Sequence, residues 1–343
     1  MTQNLKSNSH LGRSGEGRIQ YIDAIRCFAI LLVIEGHVRL LGMGLGSYDT
    51  KSSLMLYSFD LPLFFFISGF LAYKSSINAS DVWHRIKSKF VLLVIPAVIF
   101  RTILNIFNND GLLTPLMSGF GKYWFTITLF ECFLLYYLIS FVFRRELLRN
   151  LMLLVIAFIT IALLSIYSEF GPKLLDFNHL CKYFYFFVIG LFAKGYYTFY
   201  NRLIKSELFK SATIVLFFVL LFIIDYQFWP SPVFHLLRDI VLRVLGVGFI
   251  VGMFVYYAPI FDKPGRVNKL VMEIGRKSLP IYLLQYFFIP DFSNFPEWIA
   301  NLDTFTIHLV AILYTIFITA LCLCFIHVME QSSFVRKYVL GLR

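Results

Sequence analysis

Long apolar segments constrain this sequence more than any other feature. Of its 343 residues, 59% are hydrophobic and 15% are charged, whereas soluble globular proteins carry roughly 25% charged residues. A helix crosses the hydrocarbon core of a bilayer with about 20 mostly apolar residues. The chain therefore predicts an all-α, polytopic membrane protein with about ten transmembrane helices. The predicted spans are 21–43, 54–73, 90–107, 123–143, 151–167, 180–199, 211–229, 238–261, 275–290 and 306–329.

Little of the chain lies outside these spans. We predict a flexible cytoplasmic N-terminal tail at 1–20, a single membrane domain at 21–329 and a short basic cytoplasmic C-terminal tail at 330–343. The first 20 residues are polar, and the apolar segment that follows is too long for the core of a signal peptide. We therefore expect no cleavable signal peptide.

The distribution of basic residues predicts the orientation. The segments 1–20, 74–89, 144–150, 194–210, 263–277 and 330–343 contain 22 basic residues, whereas the alternate loops contain only Lys51, Lys122 and Lys173. Cytoplasmic loops of membrane proteins are enriched in Lys and Arg. Both termini are therefore predicted to be cytoplasmic. The net charge of +11 is then explained by membrane anchoring, and we expect no nucleic-acid partner.

The first span carries ionisable residues on one face. At 100° per residue, His37 lies about 20° from Arg26, and Asp23 lies about 60° away on the same side. Glu35 falls on the opposite side. Each residue alone is equally consistent with a helix-end ion pair or a packed histidine. Ionisable groups at membrane depth are costly, so three on one face favour an inward-facing functional site made of Asp23, Arg26 and His37.

Other polar residues give weaker indications of a functional role. Ser68, beside Gly69, is a candidate substrate contact, although a Ser-Gly pair in an apolar helix more often mediates helix packing. The basic run Arg85, Lys87 and Lys89 fits lipid anchoring and phosphate binding equally well. Arg101 lies inside the third span and needs a partner there.

Aromatic residues open the fourth span. Tyr123 and Trp124 could line a substrate path, but anchoring at the membrane interface is their more common role. The sequence has no P-loop, G-x-S-x-G or H-E-x-x-H motif, which argues against an ATP-driven pump and a soluble-type hydrolase. None of the five cysteines has a metal-binding spacing, so no metal site is predicted.

Several of these segments together resemble the acyltransferase-3 family, whose members are multi-pass enzymes that O-acylate carbohydrates and other acceptors. The resemblance covers nearly the whole chain. The most specific part is an Arg, ten intervening residues and a His in the segment 21–37. The supporting segments, in the same order as in the family, are 65–70, Arg85 with Pro96, 123–125, 187–190 and 275–283.

The sequence departs from the family at one position. Many members have a His after the Tyr-Leu pair of the ninth span, where this chain has Gln285. A glutamine side chain can donate and accept hydrogen bonds but does not titrate. The sequence does not assign a role to Gln285.

The resemblance implies transfer of an acyl group, with acetyl-CoA as the donor substrate, to a sugar hydroxyl of a surface polysaccharide or lipid-linked glycan. It implies no tightly bound cofactor and a place in a cell membrane, such as the bacterial inner membrane, among membrane lipids. A transporter or flippase for a lipid-linked sugar is the alternative, and a non-catalytic assembly partner ranks last.

These expectations give each candidate residue a role. Arg26, Arg85, Lys87, Lys89 and Arg101 are candidates for binding the donor. His37 would be the general base for the acceptor hydroxyl, or would carry the acyl group transiently. Asp23 would orient Arg26. Tyr123, Trp124 and Ser68 are candidates for contacts with substrate.

Overall fold

The protein is helical throughout the described part of the chain. The computed structural model describes residues 19–45, 51–107, 120–166, 177–222, 231–292, 299 and 302–342. The helices are Gln20–His37 (α1), Lys51–Tyr57 (α2), Asp60–Ala72 (α3), Ala79–Lys89 (α4), Ile95–Phe107 (α5), Trp124–Val142 (α6), Glu146–Ile166 (α7), Phe177–Gly195 (α8), Tyr197–Lys205 (α9), Glu207–Phe222 (α10), Pro232–Tyr256 (α11), Ala258–Phe261 (α12), Arg266–Arg276 (α13), Ser278–Leu284 (α14) and Thr304–Met329 (α15).

Three wider, π-helical segments extend this framework. Val38–Gly42 continues α1, Phe90–Val94 joins α4 to α5, and Val335–Val339 follows α15. Short 3₁₀ turns precede α6 at Gly121–Tyr123 and follow α14 at Gln285–Phe287. Most of the helices that line the site are therefore extended by a π-helical or 3₁₀ segment.

Six helical stretches of the described residues could cross a membrane by length and composition. They are Lys51–Ala72, Ser80–Phe107, Gly121–Val142, Glu146–Leu164, Val233–Tyr256 and Thr304–Met329. Helix α1 has a similar length but carries Asp23, Arg26 and Glu35. The predicted all-α membrane fold is confirmed, while the count of ten spans and the orientation of both termini stay predictions.

The ninth predicted span, 275–290, is wrong in its form. The chain forms two short helices, α13 and α14, which are separated at Lys277. Pro280 has no N–H group to donate to the carbonyl of Arg276, so a continuous α-helix cannot pass through this point. Only the last two residues of α13 fall within the predicted span, and α14 with its 3₁₀ extension forms most of the rest.

Helices α3 and α8 are in close backbone contact near the site. A Cβ atom on Gly69 would lie 1.9 Å from the carbonyl oxygen of Phe187, and one on Gly190 would lie 2.0 Å from that of Phe66. Small residues permit such backbone contact between membrane helices. The two glycines therefore set the position of α3, whose other face is directed toward α1.

Helix α13 approaches α1 in a similar way. A Cβ atom on Gly275 would lie 1.9 Å from the carbonyl oxygen of Asp23. Close contact at Gly275 places the next residue, Arg276, at the same end of the bundle as Arg26. We call this the Arg26 end, and the opposite end of α1 the His37 end.

Candidate active site

A cavity of about 780 Å³ opens at the Arg26 end of the bundle. Its described walls come from α1, α3, α4, α6, the α13–α14 junction and the C-terminal residues Gly341 and Leu342. Ligand pockets in proteins usually occupy about 300–1,000 Å³. The cavity is therefore large enough for an extended organic substrate.

Cationic side chains surround the mouth of the cavity. The described basic residues in its lining are Arg26, Lys74, Arg85, Lys89 and Arg276, together with His84. Asp81 is the acidic residue in the lining, and its carboxylate lies 3.9 Å from Arg85 Nη2. Guanidinium and ammonium groups are the usual protein ligands of phosphate. The mouth is thus suited to a substrate with several negative charges.

The walls become apolar away from the mouth. Ile30 and Val33 on α1 face Leu61 and Phe64 on α3 across the cavity, and Phe125 on α6 also lines this part. Ser68 lies between the two regions. A narrow apolar space suits a neutral, flexible chain rather than a charged group.

The lining residues of α1 continue toward His37. Arg26, Ile30 and Val33 follow one another at intervals of one helical turn, and His37 is the next residue at this spacing. His37 is not among the described residues that line the cavity. It lies one turn, or about 6 Å, beyond Val33. The predicted polar face therefore connects the mouth of the cavity to a histidine just past its narrow end.

Asp23 and Arg26 form an ion pair. Arg26 Nη1 lies 3.4 Å from Asp23 Oδ1, and the Asp23 side chain is almost completely buried whereas that of Arg26 is one-quarter exposed. The buried carboxylate thus holds the guanidinium at the rim while leaving part of it accessible. This geometry supports the predicted orienting role of Asp23.

His37 contacts Gln285, the residue at which the sequence departs from the family it resembles. His37 Nδ1 lies 3.2 Å from Gln285 Oε1, and Gln285 is fully buried. On another side, the imidazole ring lies 5.1 Å from the ring of Tyr286. Gln285 is therefore part of the immediate surroundings of His37.

Three tyrosines connect the cavity wall to the surroundings of His37. Tyr282 lines the cavity with its ring, and its hydroxyl donates to the carbonyl oxygen of Lys122 at 2.7 Å. Tyr286 donates to the same oxygen at 2.8 Å. Tyr123 lies 5.2 Å from the ring of Tyr286, and its hydroxyl donates to the carbonyl oxygen of Leu283. We call Tyr123, Tyr282 and Tyr286 the tyrosine cluster.

The structure divides the predicted donor-binding residues between three locations. Arg26, Arg85 and Lys89 line the cavity. Lys87 is exposed and is absent from the described lining, because it lies two residues from both Arg85 and Lys89 and so faces away from them. Arg101 is sixteen residues, or about 24 Å, further along the helical segment than Arg85. It lies against Gly121, at the His37 end.

The predicted substrate contacts are also divided. Ser68 lines the cavity. Tyr123 is buried within the tyrosine cluster. Trp124 stacks on His179 with ring centres 3.7 Å apart and lies outside the described lining of the cavity. Of these three residues, Ser68 alone reaches the cavity wall in the described part of the chain.

A second polar cluster was not predicted as a unit. Glu35 Oε1 accepts a hydrogen bond from Arg39 Nε at 2.8 Å and lies 2.7 Å from His308 Nδ1. Arg39 also donates to Ser53 at 2.5 Å. The cluster joins α1, α2 and α15, and it confirms that Glu35 is separate from the face of Asp23, Arg26 and His37.

Sequence reasoning also missed residues that complete the site. Arg276 was counted as a loop charge, Tyr282 was noted only as part of a segment that supports the family resemblance, and Tyr286 was not singled out. Pro280 indicated a break between an amphipathic and an apolar segment, but nothing in the sequence indicated that both segments contact α1.

The fold and the site together define a helical membrane protein with a cation-lined cavity that leads to a histidine. Residues 19–328 match the family described as Acyltransferase domain. The chain belongs to this acyltransferase-3 family, and it is a membrane acyltransferase. No curated protein and no solved structure matches the chain.

Proposed function

We propose that this protein is an O-acetyltransferase of a cell membrane, the bacterial inner membrane in particular. In this proposal it transfers the acetyl group of acetyl-CoA to a hydroxyl of a surface polysaccharide or lipid-linked glycan. The observation that carries the proposal is the path along α1, from the cations at the mouth of the cavity, past Ile30 and Val33, to His37.

The cavity matches the chemistry of acetyl-CoA. The donor carries phosphate groups at one end and a thin, flexible pantetheine arm with the thioester at the other. The phosphates fit the basic mouth at Arg26, Arg85 and Lys89. The arm fits the apolar walls, and the thioester is then directed toward His37. The predicted cytoplasmic position of the Arg26 end agrees with the cytoplasmic location of CoA.

His37 supplies the base that an O-acylation needs. Its imidazole takes the proton of the acceptor hydroxyl as the oxygen attacks the thioester carbonyl carbon. The C–O bond forms, the C–S bond breaks, and the CoA thiolate leaves and is then protonated. Direct attack and transfer through an acyl-histidine use the same residue and the same donor position.

The first test separates an enzyme from a transporter. Purified protein in detergent, without compartments or a gradient, is incubated with radiolabelled acetyl-CoA and a panel of lipid-linked and free glycans. We expect label on the glycan, one free CoA thiol for each acetyl group transferred, and loss of the label in mild base. Binding of a glycan without thiol release, together with its movement across vesicles, would support the transporter instead.

A second test uses the two faces of α4. We expect Lys89→Gln and Arg85→Gln to raise the KM for acetyl-CoA by about tenfold, because each removes a charge-assisted phosphate contact worth about 1.5 kcal/mol. Lys87→Gln is the matched control, because this side chain carries the same charge on the exposed face of the same helix. The measurement is the initial rate of thiol release as a function of acetyl-CoA concentration.

The comparison of these variants can also contradict the proposed donor site. Equal effects of Lys87→Gln and Lys89→Gln would mean that the basic run acts as a general membrane anchor. In that case, the mouth of the cavity would not be the donor site.

A further inference from the structure

We propose that Gln285 is a positioning residue that fixes the tautomer of His37, so that Nδ1 carries the proton and Nε2 is the catalytic base. This inference rests on the proposed role of His37 in acyl transfer. It extends that role by assigning the two ring nitrogens and by giving a function to the position where this chain departs from its family.

The orientation of the Gln285 amide follows from its two contacts. Gln285 Nε2 donates to the carbonyl oxygen of Tyr282 at 3.1 Å. A backbone carbonyl can only accept, so this side of the amide must be the NH₂ group. The opposite atom, Oε1, is therefore the one that lies 3.2 Å from His37 Nδ1.

The tautomer of His37 follows from this orientation. An amide oxygen accepts but cannot donate, so His37 Nδ1 must carry the hydrogen of the contact. A neutral imidazole has one N–H group, which leaves the lone pair on Nε2. In the described part of the chain, Nε2 has no hydrogen-bond partner. It is therefore available to the acceptor hydroxyl.

Burial makes this contact specific. Gln285 is fully buried, and its backbone begins the 3₁₀ turn that follows α14. If His37 took the other tautomer, the lone pair of Nδ1 would face the lone pairs of Oε1. Two buried acceptors in contact lose a hydrogen bond and repel each other. The contact thus favours a single tautomer before any substrate binds.

A glutamine and a carboxylate differ in their effect on the protonated, charged form of His37. A carboxylate at this position would stabilise the imidazolium ion, as it does in a catalytic triad. The neutral amide orients the ring without adding this attraction. His37 therefore stays neutral, and active as a base, down to a lower pH than it would beside a carboxylate.

Other titratable and charged groups surround His37. Tyr282 and Tyr286 lie on the α14 side, and Lys122 lies beside Tyr286 with its ammonium 5.8 Å from the ring centre. Arg101 lies against the neighbouring Gly121. On α1 and its continuation, Glu35 and Arg39 are bound to each other on the opposite face, where His308 of α15 also contacts Glu35. Lys122 and Arg101 favour the ionised form of a carboxylate introduced at position 285.

The test compares Gln285→Glu with Gln331→Glu. Both variants add one carboxylate in place of an amide, but Gln331 is exposed beyond the end of α15. NMR of histidine labelled with ¹³C and ¹⁵N reports the tautomer and the titration of each of the seven histidines. The signal of His37 is identified as the one missing in His37→Ala.

We expect wild-type His37 to show a protonated Nδ1 and an unprotonated Nε2. In Gln285→Glu, its titration midpoint should rise by about one pH unit or more. The acid limb of the transfer rate should move to higher pH by the same amount, because a raised pKa leaves less neutral imidazole at a given pH. Gln331→Glu should change neither quantity.

A further variant, Gln285→Leu, tests the role of Gln285 through kcat and KM. Gln285→Leu should lower kcat at least tenfold and leave the KM for acetyl-CoA unchanged, because the mouth of the cavity is intact. A wild-type His37 protonated at Nε2 would overturn the inference, even if every variant at 285 failed to fold. So would equal midpoints in Gln285→Glu and Gln331→Glu.

The tautomer of His37 is measured without substrate. The proposed acyl transfer and the proposed role of Gln285 can therefore fail separately. A proton on Nε2 together with full acyl transfer would remove only the role of Gln285. Absence of acyl transfer together with a proton on Nδ1 would remove the proposed function and leave the contact as a structural one.

Discussion

Replacing His37 with alanine is expected to reduce acyl transfer by at least about 100-fold at matched abundance in the membrane, because general-base catalysis contributes typically 10²–10⁴-fold. Alanine removes the imidazole that would take the proton of the acceptor hydroxyl. The KM for acetyl-CoA should change little, because the basic mouth lies about 16 Å away along α1. The measurement is label transfer from acetyl-CoA to glycan by purified protein.

His327→Ala is the matched control for this experiment. His327 is exposed on α15, so its removal should leave the rate within twofold of wild type. Transfer by His37→Ala at the wild-type rate would exclude both the general-base and the acyl-histidine mechanisms. The two mechanisms are separated by rapid quenching of wild-type protein with labelled acetyl-CoA alone, because only an acyl-histidine retains label on the protein.

The second large effect is expected at the contact of α3 with α8. In Gly190→Ala, the new methyl group would lie 2.0 Å from the carbonyl oxygen of Phe66 and 2.8 Å from Phe70 N. These atoms belong to the backbone, so the two helices must move apart. Overpacking typically costs about 1–3 kcal/mol, and we expect a cost at or above the upper end of this range.

Gly252→Ala provides the matched control. Gly252 also lies within a helix, but a methyl group there would lie an ordinary 3.6 Å from Lys210 Cγ. We expect Gly190→Ala to lower the midpoint of thermal unfolding in detergent and the yield of monodisperse protein, while Gly252→Ala changes neither. Equal stability of the two variants would show that the α3–α8 contact relaxes at low cost. It would also mean that Gly190 does not set the position of the cavity wall.

Helical periodicity predicted the central feature of the site from sequence. Asp23, Arg26 and His37 could be assigned to one face because the helix continues without a break from Gln20 to His37. The same geometry excluded Glu35, which binds Arg39 and His308 instead. Where a helix is regular, the angle between residues is enough to predict which of them share a face.

Helical geometry also separates the basic residues of α4. Arg85 and Lys89 are four residues apart and share a face, whereas Lys87 between them points away. The structure places the first two in the cavity wall and leaves Lys87 exposed. This distinction was available from the sequence, and the prediction treated the three residues as one group.

Contacts between distant segments could not be predicted in this way. His37 and Gln285 are far apart in sequence, and their contact depends on the break at Lys277 and on the approach of Gly275 to Asp23. Similarly, Arg101 and Arg85 lie on one helical segment but at opposite ends of it. Hydropathy locates helices, but it does not determine which side chains meet across them.

The tyrosine cluster has an electrical consequence. A water-filled cavity conducts ions, so the voltage across a membrane falls mainly over the part of the protein that excludes water. Tyr282 and Phe125 line the cavity and are in ring contact with each other, and Tyr123 and Tyr286 pack against Tyr282. If the cavity fills with water in a membrane, the voltage would fall mainly across the layer that holds these aromatic rings and His37. Any proton that His37 takes up or releases moves within that field, at about 2.3 kcal/mol per 100 mV for a full crossing.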